Sequence, residues 1–468
     1  MSHHERFIVD EVIQVIVQDL ARFTPICAKI FNEMKWPISI TFSVANARIG
    51  KGEYVERCPF LLTRVFLGVN PVQEQTRGEE QHSKKSKASH VSPSLSVVGC
   101  MNVFKRGLLS PSPMEAVWWR RPSTLPLVLL GMALVIILAG GTIRINDAGE
   151  SCPDWPQCFG TWGFDISVEE QTAYWEANPD EIDSRGEDHR YTTFEIFTEW
   201  IHRAMAAIIA LPVLFNALLL RSKRAVYGTR AYHLSIFAGV MLILQATAGA
   251  VTVFYDNADW SVALHLSMAC VFSSVFIYQH MEMRQKEGSV HPLYTLPKAF
   301  IAANKKRVDA MVGSVFTLLI LGAWVSSTAG GQYNQGCSVG FPTGWPTCNG
   351  SVLPSFDGPG VLVQMVHRFG ALVVGLVLIA GSARVRSEAR EHGATPKFGR
   401  ITDMTAGFWM LNVMIGGSYI IAAKLDSFPE WVSLLHLIVG VTGLLVATIA
   451  LFSIRISASY QVHHEGEE

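Results

Sequence analysis

Eight long apolar runs constrain this chain more than any other feature. They cover residues 125–145, 197–220, 233–254, 260–278, 311–329, 360–380, 405–423 and 431–454. A helix needs about 20 apolar residues to cross a hydrocarbon layer of about 30 Å, so each run has the length of a membrane span. The fold expected is an all-α membrane protein with eight transmembrane helices. Basic residues cluster in alternate connections: Arg120 and Arg121 before the first run, Arg221, Lys223 and Arg224 after the second, Arg284 to Arg307 after the fourth, and Arg384 to Arg400 after the sixth. By the positive-inside rule both termini are cytoplasmic and the intervening loops face outside.

Composition matters mainly outside the runs. Net charge is −1, which gives no footprint for nucleic acid. Residues 1–115 read as a poorly structured N-terminal extension, and 72–98 are rich in Gln, Glu, Lys and Ser. The extension has too many acids for a transit peptide and lacks a signal-peptide pattern. The working protein is expected to begin near Met101 or Met114; a small cytoplasmic appendage is the competing view. Residues 457–468 read as an acidic tail. The loop 146–195 carries thirteen Asp or Glu against Arg185 and Arg190, whereas 330–359 is almost uncharged.

The two halves repeat, letter by letter. Trp155-Pro156-Gln157-Cys158-Phe159-Gly160 matches Trp345-Pro346-Thr347-Cys348-Asn349-Gly350. Ile201-His202-Arg203 matches Val366-His367-Arg368, and Leu264-His265-Leu266 matches Leu435-His436-Leu437. Trp260 and Trp431 each stand five residues before the later histidine, and Gln245 with Gly249 matches Asn412 with Gly416. The order is conserved throughout, so the expected architecture is two tandem four-helix bundles related by a pseudo-two-fold repeat: 120–285 and 305–456.

His202, His265, His367 and His436 lie near the outer ends of the even-numbered spans, which all run the same way. Equal positions along parallel spans mean equal depth, so two imidazoles can approach a flat ligand from opposite sides. Haem iron accepts axial imidazoles in that manner, and helix bundles are common sites for it. One haem site per half is the simplest count. Zinc fits less well, because two histidines leave it under-coordinated; Glu199 could complete such a site in the first half only.

Glu199 stands one helical turn before His202, and the second half has Gln364 in its place. A carboxylate near the membrane boundary suits general acid or base work, while an amide does not titrate. The first half therefore reads as the reactive site and the second as a fixed cofactor site. The competing reading is that Glu199 merely orients His202 or pairs with Arg203. Arg203 and Arg368 suit either haem propionates or snorkelling to the interface. Cys152 with Cys158, and Cys337 with Cys348, share outer loops where oxidation is permitted. A disulfide in each is the simplest pairing, with thiol exchange at Cys152 and Cys158 as the alternative. His233, His280, His291 and His392 fall in or near inner loops and read as solvated. Cys270 reads as core packing, and Gln245 and Asn412 as interhelical hydrogen-bond formers.

The run Gly140-Gly141-Thr142-Ile143-Arg144, the loop Cys152-Pro153-Asp154-Trp155-Pro156-Gln157-Cys158, Glu199-x-x-His202-Arg203, Leu264-His265 and the second-half copies resemble the haem A synthase family. The resemblance covers residues 120–455. It implies an eight-span oxidoreductase that converts haem O to haem A for cytochrome c oxidase-type terminal oxidases. One porphyrin methyl is oxidised to a formyl group through a hydroxymethyl stage. By position, His367 and His436 would ligate a permanent haem b, through which electrons would move. His202 and His265 would hold the substrate haem O, with Glu199 needed for chemistry. The family also implies delivery by a haem O synthase, a separate electron donor, and a lipid bilayer as host; a homo-oligomer is compatible with it. One departure is the first outer loop, which has 25 more residues between its second cysteine and its histidine than the second loop has.

Two other functions fit the residues alone: a bis-histidine di-haem electron-transfer cytochrome, and a haem chaperone or exporter without redox chemistry. The Glu199–Gln364 difference favours the enzyme, because a carrier has no evident need for it. The expected location is a prokaryotic plasma membrane, with the mitochondrial inner membrane as the alternative.

Overall fold

The computed structural model describes residues 121–289, 291–327, 336–356, 358–424 and 428–465, which fall in one compact unit. The expected extension 1–115 lies outside them. The architecture is all-helical. Helix α1 is Thr124–Ile145, α2 Val168–Ala177, α3 Thr193–Ile208, α4 Ala210–Ser222, α5 Arg224–Phe254, α6 Asp259–Lys286, α7 Lys298–Ser327, α8 Pro359–Glu391, α9 Pro396–Ala422 and α10 Glu430–Glu465. Helices α3 and α4 run on as one span, Thr193–Ser222. With that join, eight helices are long and apolar enough to cross a membrane. Among the described residues there is no strand; isolated bridges join Cys158 with Thr161 and Cys348 with Ser351.

The helices outrun the apolar runs. Helix α6 continues to Lys286, α8 to Glu391 and α10 to Glu465, so the helix enters the segment read as an acidic tail. Apolar length marks the hydrocarbon layer, not the end of hydrogen bonding. The polar turns that follow are held by pairs four residues apart, such as Arg384 with Glu388 at 2.9 Å and His392 with Glu388 at 3.1 Å.

Helix α2 and a short 3-10 turn, Pro179–Glu181, interrupt what reads in sequence as a loop. Ser167 caps α2: its hydroxyl accepts from the Glu170 amide, and the Glu170 carboxylate accepts from the Ser167 amide. This capping box satisfies two end donors of a helix too short and polar to show an apolar period. Thr192 and Glu195 start α3 with the same device.

The core lies where α1, α6, α7, α9 and α10 meet, around Leu129, Phe276, Phe300, Phe398 and Ile454. Cys270 is a free, buried thiol within it, as its position suggests. Lipid tails are as apolar as these side chains, so close packing and interhelical hydrogen bonds hold such helices together, at roughly 0.6–2 kcal/mol per polar contact. Asn216 on α4 donates to Gln279 on α6 at 2.8 Å, and Gln279 donates to the Ala231 carbonyl of α5 at 3.0 Å. Outward faces stay apolar: Leu211, Leu214, Phe215 and Leu218 on α4 are exposed at helical spacing.

Candidate functional site

The two W-P-x-C-x-G loops adopt one conformation. Cys152 is bonded to Cys158, and Cys337 to Cys348. Phe159 and Gly160 have φ of 52° and 71°, and their counterparts Asn349 and Gly350 have 53° and 77°. Positive φ is uncommon for a phenylalanine, so the turn is held by what surrounds it. Asp154 accepts from the Gly160 amide at 3.0 Å.

An arginine clamps each loop. Arg203 Nη1 donates to the carbonyls of Asp154 and Gln157, both at 2.5 Å, and Nη2 donates to the Cys152 carbonyl at 2.9 Å. Arg368 Nη1 donates to Gly344 and Thr347 at 2.8 and 2.7 Å, the corresponding carbonyls of the second loop. These contacts draw both guanidinium groups onto loop backbone. Neither propionate binding nor snorkelling would have suggested this role from sequence.

Glu199 is buried, with 4% exposure. Its Oε1 accepts from Arg203 at 2.5 Å, and its Oε2 accepts from the Ser151 hydroxyl and the Cys152 amide, both at 3.0 Å. The carboxylate thus joins α3, the clamp and the start of the disulfide loop. Gln364 is buried at the matching place on α8. Among the described residues, the only trio of His, Cys, Asp or Glu ligand atoms within 4.8 Å is Glu388, Glu391 and His392, so Glu199 does not close a three-ligand set with His202 and His265.

The extra residues of the first outer loop pack over this arrangement. Phe159, Ile166, Trp175, Tyr191 and Ile196 form a small core with the Cys152–Cys158 disulfide. Gln171 accepts from the Tyr191 amide at 2.9 Å and donates to its carbonyl at 3.0 Å, and Arg190 lies over Trp175. Glu150 is held by Ser184 at 2.8 Å and Asn257 at 3.4 Å. Burial pushes its carboxyl above the ordinary range, with Asp183 and Asp256 adding repulsion. A carboxyl raised in the folded state stabilises fully at acid pH, and that contribution is lost as pH rises through its folded pKa. Amide exchange in 147–151 and 183–191, corrected for intrinsic rates, is therefore expected to quicken as pH rises above the ordinary carboxylate range. Glu150→Gln should flatten the trend; an unchanged trend would put its source elsewhere.

The four histidines come together in two like pairs. His202 on α3 and His265 on α6 have ring centres 6.5 Å apart, inclined by 66°. His367 on α8 and His436 on α10 are also 6.5 Å apart, inclined by 78°. Two imidazoles bound to opposite sides of one metal ion, through bonds of about 2 Å, hold their ring centres about 6–6.5 Å apart. The pairs therefore fit an axially ligated haem. His436 Nδ1 lies 2.9 Å from the Asn412 carbonyl, which leaves Nε2 as the ligand atom. Gln245 donates to the His265 carbonyl at 2.9 Å, with its amide nitrogen 3.2 Å from Nδ1 of the ring. His367 Nδ1 is buried without a hydrogen-bond partner.

Each imidazole also rests against a glycine of the preceding span: His202 on Gly140, His265 on Gly249, His367 on Gly322 and His436 on Gly416. A methyl group on any of these glycines would stand 2.9–3.2 Å from the ring's Cε1. Gly322 was not visible as a site residue in sequence, although one glycine per histidine at matched places was the available signal. Gly416→Val should displace His436 and weaken haem retention in the second half by roughly 10–100-fold, the range for disturbed ligand support. Gly407→Val on the same helix meets nothing within 4 Å and should leave retention intact. Equal haem content in both variants would refute the cradle.

The histidines away from the pairs need correction. Of His233, His280, His291 and His392, only His233 is exposed. His280 is partly buried, with Nδ1 2.7 Å from the Ser123 carbonyl, and His392 pairs with Glu388. His291 accepts from the Leu293 amide at 3.3 Å, and burial beside Lys397 and Arg284 lowers it to about 4. The inner connections fold back onto helix ends, which the sequence pattern does not reveal.

Eight span-length helices, with no strand among the described residues, and two facing-histidine pairs define a multi-pass helical membrane protein with two like histidine pairs. Residues 123–449 match the COX15-CtaA family, described as cytochrome oxidase assembly protein, and the chain belongs to that family. It is similar to "Heme A synthase" of Erythrobacter litoralis, 23% identical over 350 residues, covering 69% of this chain and 93% of the relative. The protein of the same name from Maricaulis maris is 25% identical over 296 residues (58% and 80%). That from Shouchella clausii is 24% identical over 252 residues (53% and 71%).

Proposed function

We propose that this protein is a haem A synthase that oxidises a methyl group of haem O to the formyl group of haem A, for terminal oxidases of the cytochrome c oxidase type. The observation that carries the reading is the pair of equal histidine sites of which only the first has a buried carboxylate one turn away. Haem O is the substrate, taken between His202 and His265. His367 and His436 would hold a resident haem b, which supplies one-electron redox chemistry when bound.

The chain's own residues then have distinct tasks. The imidazoles set the depth and plane of the substrate. Arg203 and Arg368 fix the disulfide loops beside the sites, and the packed insertion shields the first from water. Glu199 places a carboxyl group, able to take up or release a proton, at the edge of the reactive half. The matched loops, clamps and glycines support two tandem four-helix halves related by a pseudo-two-fold axis. The alternation of basic connections supports cytoplasmic termini, with both haem sites near the outer face. Bacterial relatives support a prokaryotic plasma membrane. A haem O synthase would deliver the substrate, and a separate donor would supply electrons.

The test is chemical. The full chain, co-expressed with a source of haem O, is purified and its haems are extracted and separated. Haem b together with haem O or haem A is the expected result. Haem b alone, at two per chain, would instead make the protein a di-haem electron-transfer cytochrome.

A further inference from the structure

At the end of the bundle opposite the histidines, α5, α6, α7 and α10 leave a cleft of about 400 Å³. Tyr278 lies thirteen residues beyond His265 and Arg455 nineteen beyond His436. At 1.5 Å per residue these are axial distances of roughly 20 and 28 Å. In a hydrocarbon layer of about 30 Å, that puts the cleft at the opposite boundary from the histidine sites.

We propose that this cleft binds the phosphodiester headgroup of an anionic phospholipid. Its rim carries Arg230, Lys305 and Arg455, and its floor is apolar, with Leu451, Phe452 and Ala458. Arg230 Nη1 donates to Tyr278 Oη at 3.1 Å and to Ser459 Oγ at 2.9 Å, so one guanidinium bridges α5, α6 and α10. Two carboxylates oppose the cations. Glu282 Oε1 is 3.9 Å from Arg230, and Asp309 accepts from Arg455 at 2.8 Å. Lys286 also acts on Glu282, so the cations outnumber the carboxylates and leave a net positive charge for an anionic phosphodiester. Inorganic phosphate has no acyl chain and would leave the apolar floor uncovered. Tyr278 stacks on Phe452 at 4.9 Å, giving an acyl chain a flat apolar wall directly below the cations. Basic clefts between spans at a membrane boundary are recurrent sites for anionic lipid. A headgroup held here would also tie the helices of the first half to those of the second.

The experiment is lipid retention by the full chain, measured by native mass spectrometry after detergent dilution with phosphatidylglycerol or phosphatidylcholine. The wild type should keep one phosphatidylglycerol and no phosphatidylcholine. Lys305 is exposed, so Lys305→Glu changes the cleft charge without disturbing the core. It should lower retention roughly 25-fold, the product of about fivefold for each of two unit charges. Lys305→Gln should lower it about fivefold. Arg390→Glu, exposed on α8 and outside the cleft, should change nothing. Equal retention of the two lipids, or no effect of either Lys305 variant, would overturn the proposal. So would displacement of phosphatidylglycerol by inorganic phosphate alone, which would make this a free-phosphate site.

Discussion

Glu199→Gln is expected to leave both haem sites occupied and to stop formation of haem A. All three partners of the carboxylate are donors: Arg203 on Oε1, and the Ser151 hydroxyl and Cys152 amide on Oε2. An amide has one acceptor oxygen and one donor nitrogen. If its oxygen faces Arg203, its nitrogen confronts Ser151 and Cys152. Ser151 has the carbonyls of Ala148 and Glu195 within 2.8 and 3.0 Å and can turn to accept. The Cys152 amide cannot turn. The loss is one hydrogen bond to a charged group, about 1.5–3 kcal/mol, which loosens the loop without unfolding a bundle of this size. Turnover should fall much further, by roughly 10²–10⁴-fold, if the carboxylate handles a proton in the reaction. Ser151→Ala separates the two roles, because it removes a contact to the same oxygen and keeps the charge. It should reduce product by no more than about tenfold, the factor that corresponds to about 1.4 kcal/mol. Turnover of Glu199→Gln equal to that of Ser151→Ala would leave Glu199 as a loop staple only.

His436→Ala should empty the second site and spare the first. The imidazole is placed from two sides, by the Asn412 carbonyl at Nδ1 and by Gly416 against Cε1. Outer supports of this kind are each worth 10–100-fold in affinity, so loss of the ligand itself should exceed about a hundredfold. Chains loaded with substrate should then carry one haem instead of two, and the remaining haem should be haem O. His367→Ala should behave alike. His202→Ala should give the reverse, with haem b retained and no haem O held. Added imidazole, entering the space left by the side chain, should restore part of the haem absorbance in each alanine variant. Retention of haem b in both His367→Ala and His436→Ala would sink the assignment of the second site.

The two experiments divide the chain by task, and the clamps show why the task is local. Arg203 reaches carbonyls 46 to 51 positions back and Arg368 reaches 21 to 24 back, yet the carbonyls correspond. The first outer loop absorbed its extra length as α2 and the 3-10 turn, stacked on the disulfide, and left the clamp unchanged. An insertion is tolerated there because it packs its own small core.

The sequence by itself determined the eight spans, the helical class and the four histidines, along with the difference between Glu199 and Gln364. Apolar length, residue type and matched order are local properties, and they need no knowledge of what packs against what. The tertiary structure alone decided the rest. His202 and His265, 63 residues apart in sequence, stand 6.5 Å apart because α3 and α6 each pack on α1. Arg203 could have reached for a ligand or for water, and its direction depends on carbonyls that a distant loop presents. His280 could have been solvated, but the Ser123 carbonyl at the start of α1 meets it. Gly322 has meaning only beside His367. Such contacts join elements that no local pattern relates, so their geometry follows from packing and hydrogen-bond closure across the whole bundle.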